Sequence, residues 1–170
     1  MDRQVIDEFE TSGEKLAKAI AGLTRQDLLW VPPPGAGIGR WSIQQIVLHL
    51  MDDELIWSAR MKSMIAEDNP QILGFDEAKF ASKLFYEEQD AQTAVRILDL
   101  NRRQLAPLFR KLPDSAFART GRHNDLGVIT LGQSVKWTNE HLDHHTLYIH
   151  MKRDRLGKPS KDPSASAASY

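Results

Sequence analysis

Two helix-start signatures of one kind, Ser42-Ile-Gln-Gln45 and Thr130-Leu-Gly-Gln133, constrain this chain more than any other feature. In each, the hydroxyl and the glutamine amide oxygen accept backbone N–H groups that the first helical turn leaves free. The first predicts a helix that stops before Asn69-Pro70, because the residue before proline disfavours helix. Its core stripe includes Ile46, His49, Leu50 and Trp57. The second predicts a helix to about Arg155, with Gly157-Lys-Pro159 as its stop.

Two further segments have helical periodicity. Residues 2–23 place Val5, Ile6, Phe9, Leu16 and Ile20 on one stripe. A third long helix begins with Asp90 as N-cap and ends before Pro113, with Ala94, Ile97, Leu98, Leu105 and Leu108 as its apolar face. Pro107 predicts a kink or an early end there. Glu77 to Leu84 reads as a short helix. The breaker-rich run from Val31 to Gly39 reads as a long loop, and so does 114–129 with Gly121, Asn124-Asp125 and Gly127. Four long amphipathic helices and very little strand signal predict an all-α protein, a four-helix bundle with long inter-helix connections. Such connections do not force sequential helices to be neighbours. One domain over 1–157 is expected, followed by a disordered tail at 158–170 rich in Ser and Pro.

The net charge of −1 gives no electrostatic footprint for nucleic acid or anionic lipid. No apolar run is long enough to span a bilayer, and the acidic start does not resemble a signal peptide. A cytoplasmic location is the expectation. Cysteine is absent, which excludes disulfides, thiolate ligands and a cysteine nucleophile. Any thiol chemistry needs an external thiol.

Four of six histidines fall in His141-Leu-Asp-His144-His145-Thr-Leu-Tyr-Ile-His150. On a helix, His141 and His145 lie roughly 40° apart, one turn above the other, where two imidazoles can bind one metal. His144 is roughly 100° from His145, and His150 is nearly opposite His141, so neither joins that pair. Zinc peptidases place a Glu base after the first histidine. Leu142 stands there, which argues against peptidase chemistry. A metal needs a third ligand, and His49 is the candidate because it interrupts an apolar helix face. The alternative is a hydrogen-bonded core histidine. Asp53, one turn after His49, could orient that ligand from behind or belong to an unrelated ion pair. His123 could overhang the site from its loop or stand exposed. Glu140 and Asp143 read as solvated, and Trp41, Trp57 and Trp137 as core.

Trp41-Ser42-Ile-Gln-Gln-Ile-Val-Leu-His49-Leu50-Met-Asp52 resembles the W-S-x-x-x-x-x-x-H-L-x-D block of the DinB/YfiT-like family of metal-dependent enzymes. Leu131-Gly-Gln and Asn139-Glu-His141-Leu-Asp-His144-His145 resemble the family's final helix with its H-x-x-x-H pair. The Pro-rich loop and Gly127-Val-Ile-Thr130 fit as well, and the resemblance spans about residues 1–157. One departure is His145-Thr-Leu-Tyr-Ile, where the family often continues H-H-x-G-Q. The resemblance implies a four-helix bundle, a divalent metal on His49, His141 and His145, and a capacity to form a homodimer. It also implies a small-molecule substrate. Some relatives are S-transferases that use a low-molecular-weight thiol such as bacillithiol, mycothiol or glutathione; others are thiol-dependent isomerases.

Three neutral imidazoles leave coordination positions open, which marks a catalytic metal rather than a structural one. Zinc or nickel suits such a ligand set. Either could activate a water for hydrolysis or an external thiol for S-transfer. The competing expectation is a non-catalytic metal-binding or interaction module.

Overall fold

The computed structural model describes residues 1–160. Four long helices form the bundle: α1 (Arg3–Ile20), α3 (Ile43–Ala66), α5 (Ala91–Lys111) and α6 (Leu131–Arg155). Between them lie the short helices α2 (Arg25–Leu28) and α4 (Glu77–Lys83), a 3-10 turn (Asp114–Ala118), and strands β1 (Gln71–Ile72), β2 (Thr120–His123) and β3 (Gly127–Thr130). Both capping boxes form as the sequence predicts, at Ser42 with Gln45 and at Thr130 with Gln133. Asp90 caps α5 by accepting the Thr93 N–H.

α1 and α3 each pack against α5 and α6. The order around the bundle is therefore α1, α5, α3, α6, and chain neighbours such as α1 and α3 sit on a diagonal. That arrangement is why the connections must be long. Gly13 admits a close α1–α5 crossing, since a Cβ there would lie 2.8 Å from the Asp99 Cα.

The core has two apolar layers. One is built around Leu16, Ile20, Val47, Leu50, Leu98, Leu142 and Ile149. The other holds Phe9, Met61, Met64, Leu105, Phe109 and Val135. A polar knot ties all four long helices together. Arg102 of α5 donates to Glu54 of α3 at 2.8 Å, to Asn139 of α6 at 3.1 Å, to the Thr138 carbonyl at 2.8 Å, and to Ser12 of α1. Each buried donor there finds an acceptor, which is the condition for holding a charge in a core.

Three expectations are corrected. Residues 114–129 are not a plain loop. They hold the 3-10 turn and most of a hairpin, in which β2 pairs antiparallel with β3 and parallel with β1. The strands are two to four residues long, too short for an alternating pattern to stand out. α5 does not end early at Pro107 but runs on to Lys111, short of Pro113 as expected, because Leu105, Ala106 and Phe109 remain buried against the bundle. Ile97 faces outward rather than into the core. From residue 161 on, the expected disordered tail lies outside the described residues. Lys158 pairs with Asp27 at 2.6 Å. Among the described residues, no helix is long and apolar enough to cross a membrane.

Candidate metal centre

α3 carries a straight stripe of chemistry. His49, Asp53, Trp57 and Arg60 fall at intervals of four, four and three residues, and so within roughly 80° of one another around the axis. α6 presents His141 and His145 from successive turns toward the same place. Nitrogens of His49, His141 and His145 all lie within 4.8 Å of one another. Nε2 of His49 is 3.2 Å from Nε2 of His141. The rings meet edge to face, with centroids 4.6 to 5.1 Å apart. The three sequence candidates are thus brought together. His144 is exposed and touches only the outer side of the group, its ring 5.5 Å from that of His145.

Burial makes two of these imidazoles, His49 and His145, lone-pair donors. His49 is pushed down to about 4 by desolvation and by the neighbouring His141. His145 is pushed down to about 3, again by desolvation first and then by His141 and His49. Both are neutral at pH 7. Asp53 is buried and does not serve His49. Its Oδ2 lies 3.0 Å from Nδ1 of His141, on the facing helix. The Nδ1 hydrogen of His141 therefore goes to Asp53, and its Nε2 turns a lone pair toward His49. His49 Nδ1 has no hydrogen-bond partner among the described residues, so packing holds this ring, with Trp41 edge-on at 5.0 Å. Asp52 takes a different task and accepts the Tyr86 hydroxyl at 2.5 Å.

A divalent transition metal fits this donor set. Tetrahedral Zn–N bonds of about 2.0–2.1 Å separate ligand nitrogens by about 3.3 Å. The His49–His141 distance is close to that, and modest rotation about side-chain bonds closes the remainder.

A cleft of about 250 Å³ opens beside His141. Asp53, Trp57 and Arg60 form its α3 side, and Phe75, Glu77 and His123 belong to its opposite wall. His123 is buried, stacks on Trp57 at 6.1 Å, and accepts the Asp125 and Leu126 N–H groups at Nδ1, so its proton sits on Nε2. Trp57 belongs to the buried core, as expected, and also lines the cleft, whereas Trp137 is 41% exposed and is a cleft wall rather than core. Glu140 is exposed, as is Asp143, which pairs with Lys15 at 2.7 Å.

Two cleft residues escaped the sequence. Glu77 reaches across from α4 and places Oε2 4.0 Å from His49 Nε2. Burial, reinforced by the Asp53 charge, raises its carboxyl pKa. Nothing local marks Glu77, because its place depends on where the ten-residue connection after α3, residues 67–76, returns to the bundle. Arg60 was accessible in principle, since its spacing from His49 puts it on the ligand stripe.

The DinB superfamily profile matches residues 8–149. A relative in Oceanobacillus iheyensis named "Putative metal-dependent hydrolase" is 27% identical over 111 residues, 65% of this chain and 64% of its own length. The chain therefore spans just under two thirds of that relative. A Bacillus mycoides relative with the same name is 27% identical over 151 residues, 89% of this chain and 84% of its own. Among solved structures, the fold is similar to YfiT from Bacillus subtilis, described as "a probable metal-dependent hydrolase with an unusual four-helix bundle topology". That match has a TM-score of 0.83 at 26% identity and covers 91% of this chain and 86% of the other. With its matched segment running from the first long helix through the His141/His145 pair, this chain belongs to the DinB superfamily.

Proposed function

We propose that this protein is a metal-dependent hydrolase that acts on a small molecule held in the cleft beside His141. One observation carries the reading: the imidazoles of His49, His141 and His145 converge, His141 lines the cleft, and the carboxylate of Glu77, on the same cleft, lies 4.0 Å from His49. The metal's share is Lewis acidity, which makes a water acidic enough to react near neutral pH. The remaining work falls to side chains. Asp53 holds His141 in one tautomer and orientation. Glu77, its pKa already raised, accepts the proton of the attacking water and returns it to the leaving group. Trp57 and Trp137 supply apolar walls that keep bulk water from the reacting bond.

A second reading, S-transfer from an external low-molecular-weight thiol, has one supporting feature. A second cavity, of about 330 Å³, borders His145 and shares no residue with the first. Arg40, His144 and Lys152 among its lining suit the carboxylates such thiols carry.

Untagged protein supplemented with zinc or nickel should hold about one metal per chain, and His145→Ala should lose it. Under about a tenth of a metal per chain would sink the metal centre. Ester and amide panels, run beside thiols with a chromogenic electrophile, separate the two chemistries. Turnover without thiol supports hydrolysis; turnover only with thiol supports S-transfer; no turnover in either favours a non-catalytic metal-binding module.

A further inference from the structure

Arg60 is 9% exposed, yet no carboxylate lies within ion-pair distance of its guanidinium among the described residues. The group sits 4.5 Å over the Trp57 ring and 5.9 Å from that of Phe75. It donates to one protein acceptor, the Leu73 carbonyl. A guanidinium has five N–H donors in a planar fork, so most of its capacity is unused. Burial works against its charge, and the Asp53 carboxylate offsets this only in part. Arg60 lines the same cleft as Asp53 and His141. It follows His49 by 11 positions, which places it about 20° around the α3 axis and roughly 16 Å along it. Its side chain leans back toward the helix N-terminus, and so toward the histidines.

We propose that Arg60 is the docking point for a carboxylate, and that the cleft takes an elongated acid whose reacting bond lies at the histidines. This rests on the hydrolase reading for the reacting end; the docking point itself does not. A planar carboxylate matches the guanidinium fork through two parallel hydrogen bonds. The neighbours select against a dianionic phosphate. Asp53, Glu77 and Asp125 line the same cleft, and repulsion from them grows with ligand charge. Trp57, Phe75 and Trp137 flank the span between the two ends and suit an apolar middle.

A purely structural Arg60 would only fasten Leu73 and the segment after β1. Binding of monomethyl glutarate, measured by calorimetry, separates the two roles. Dimethyl glutarate is the uncharged control, and inorganic phosphate is the rival anion. The proteins are wild type, Arg60→Gln, Arg60→Lys and His145→Ala, each with a thermal melt. The expected result is binding of the mono-acid but not the diester, weakened about ten- to hundredfold in Arg60→Gln and less in Arg60→Lys. His145→Ala should keep it, because the carboxylate does not sit on the metal. Three outcomes overturn the proposal. They are affinity unchanged in Arg60→Gln despite a lowered melting point, affinity lost in His145→Ala but kept in Arg60→Gln, and phosphate binding tighter than the mono-acid. Binding is read without turnover. A protein that hydrolyses no ester yet binds the mono-acid through Arg60 removes the hydrolase reading and leaves this one standing.

Discussion

Asp53 reaches across the α3–α6 interface to His141, its Oδ2 3.0 Å from the ring Nδ1, instead of serving His49 on its own helix. The contact joins a proposed ligand of one helix to a carboxylate of another, so metal affinity depends on how α3 and α6 pack. Asp53→Asn keeps the size and removes the charge. It should weaken zinc or nickel binding about 10- to 100-fold. Competition with a calibrated chelator reads this directly, and unchanged affinity would assign the pair to stability alone.

Removing the proton acceptor should separate chemistry from metal loading. Glu77→Gln is expected to lower kcat about 10²- to 10⁴-fold while metal content stays at the wild-type value. Steady-state kinetics on whichever ester or amide is turned over, with metal analysis of the same sample, checks both halves. A variant that loses its metal would recast Glu77 as a ligand.

The metal-free protein should weaken in acid along a defined course. His49 and His145 have folded values of about 4 and about 3, against an ordinary 6.5. Between these limits the unfolded chain binds more protons than the folded one, so stability rises with pH. The stability tied to the neutral rings is complete above about pH 6.5 and is lost as pH falls through the folded values. Urea midpoints of chelated protein from about pH 7.5 to about pH 4.5 should fall, and the slope should flatten in His49→Leu. Equal slopes would show that these rings are not held neutral.

At the centre of the bundle, Glu54 and Arg102 are both buried and 2.8 Å apart. Glu54→Ala leaves the guanidinium without its counter-charge and should cost about 3–5 kcal/mol. The double change Glu54→Leu with Arg102→Met should recover much of that loss, because two apolar side chains need no counter-charge. Denaturant unfolding of the single and double variants checks the ordering.

The legible parts of this molecule were those encoded locally. Capping at Ser42, Asp90 and Thr130 involves residues three apart, and the starts of three long helices followed from it. The His141/His145 pair was legible because one helical turn relates its members. His49 was legible as a polar interruption of an apolar face, reinforced by the family block around it. What escaped depends on contacts between distant segments. The β1–β2 pairing joins residues about fifty apart. Glu77 gains its place only after the chain returns to the bundle. Sequence leaves the partner of Asp53 open, because a same-helix neighbour is visible in it and a cross-helix one is not. Trp137 was misjudged because an aromatic on an amphipathic helix resembles core until a cleft is known to open beside it.

The pairing of β1 with β2 has a consequence for how such a protein diversifies. It fastens the two long connections into one small platform opposite the α3 stripe, and that platform, with Phe75, Glu77 and His123, faces the histidines. The bundle interior must keep its shape to keep its packing, and the platform is pinned to it through Ile72, Gly121 and Ile129, while Phe75, Glu77 and His123 stand at the cleft. Insertions or exchanges there reshape the mouth of the cleft while leaving the three imidazoles where they are. A lineage built on this scaffold can therefore reshape the cleft by redrawing two short segments, without refolding the rest.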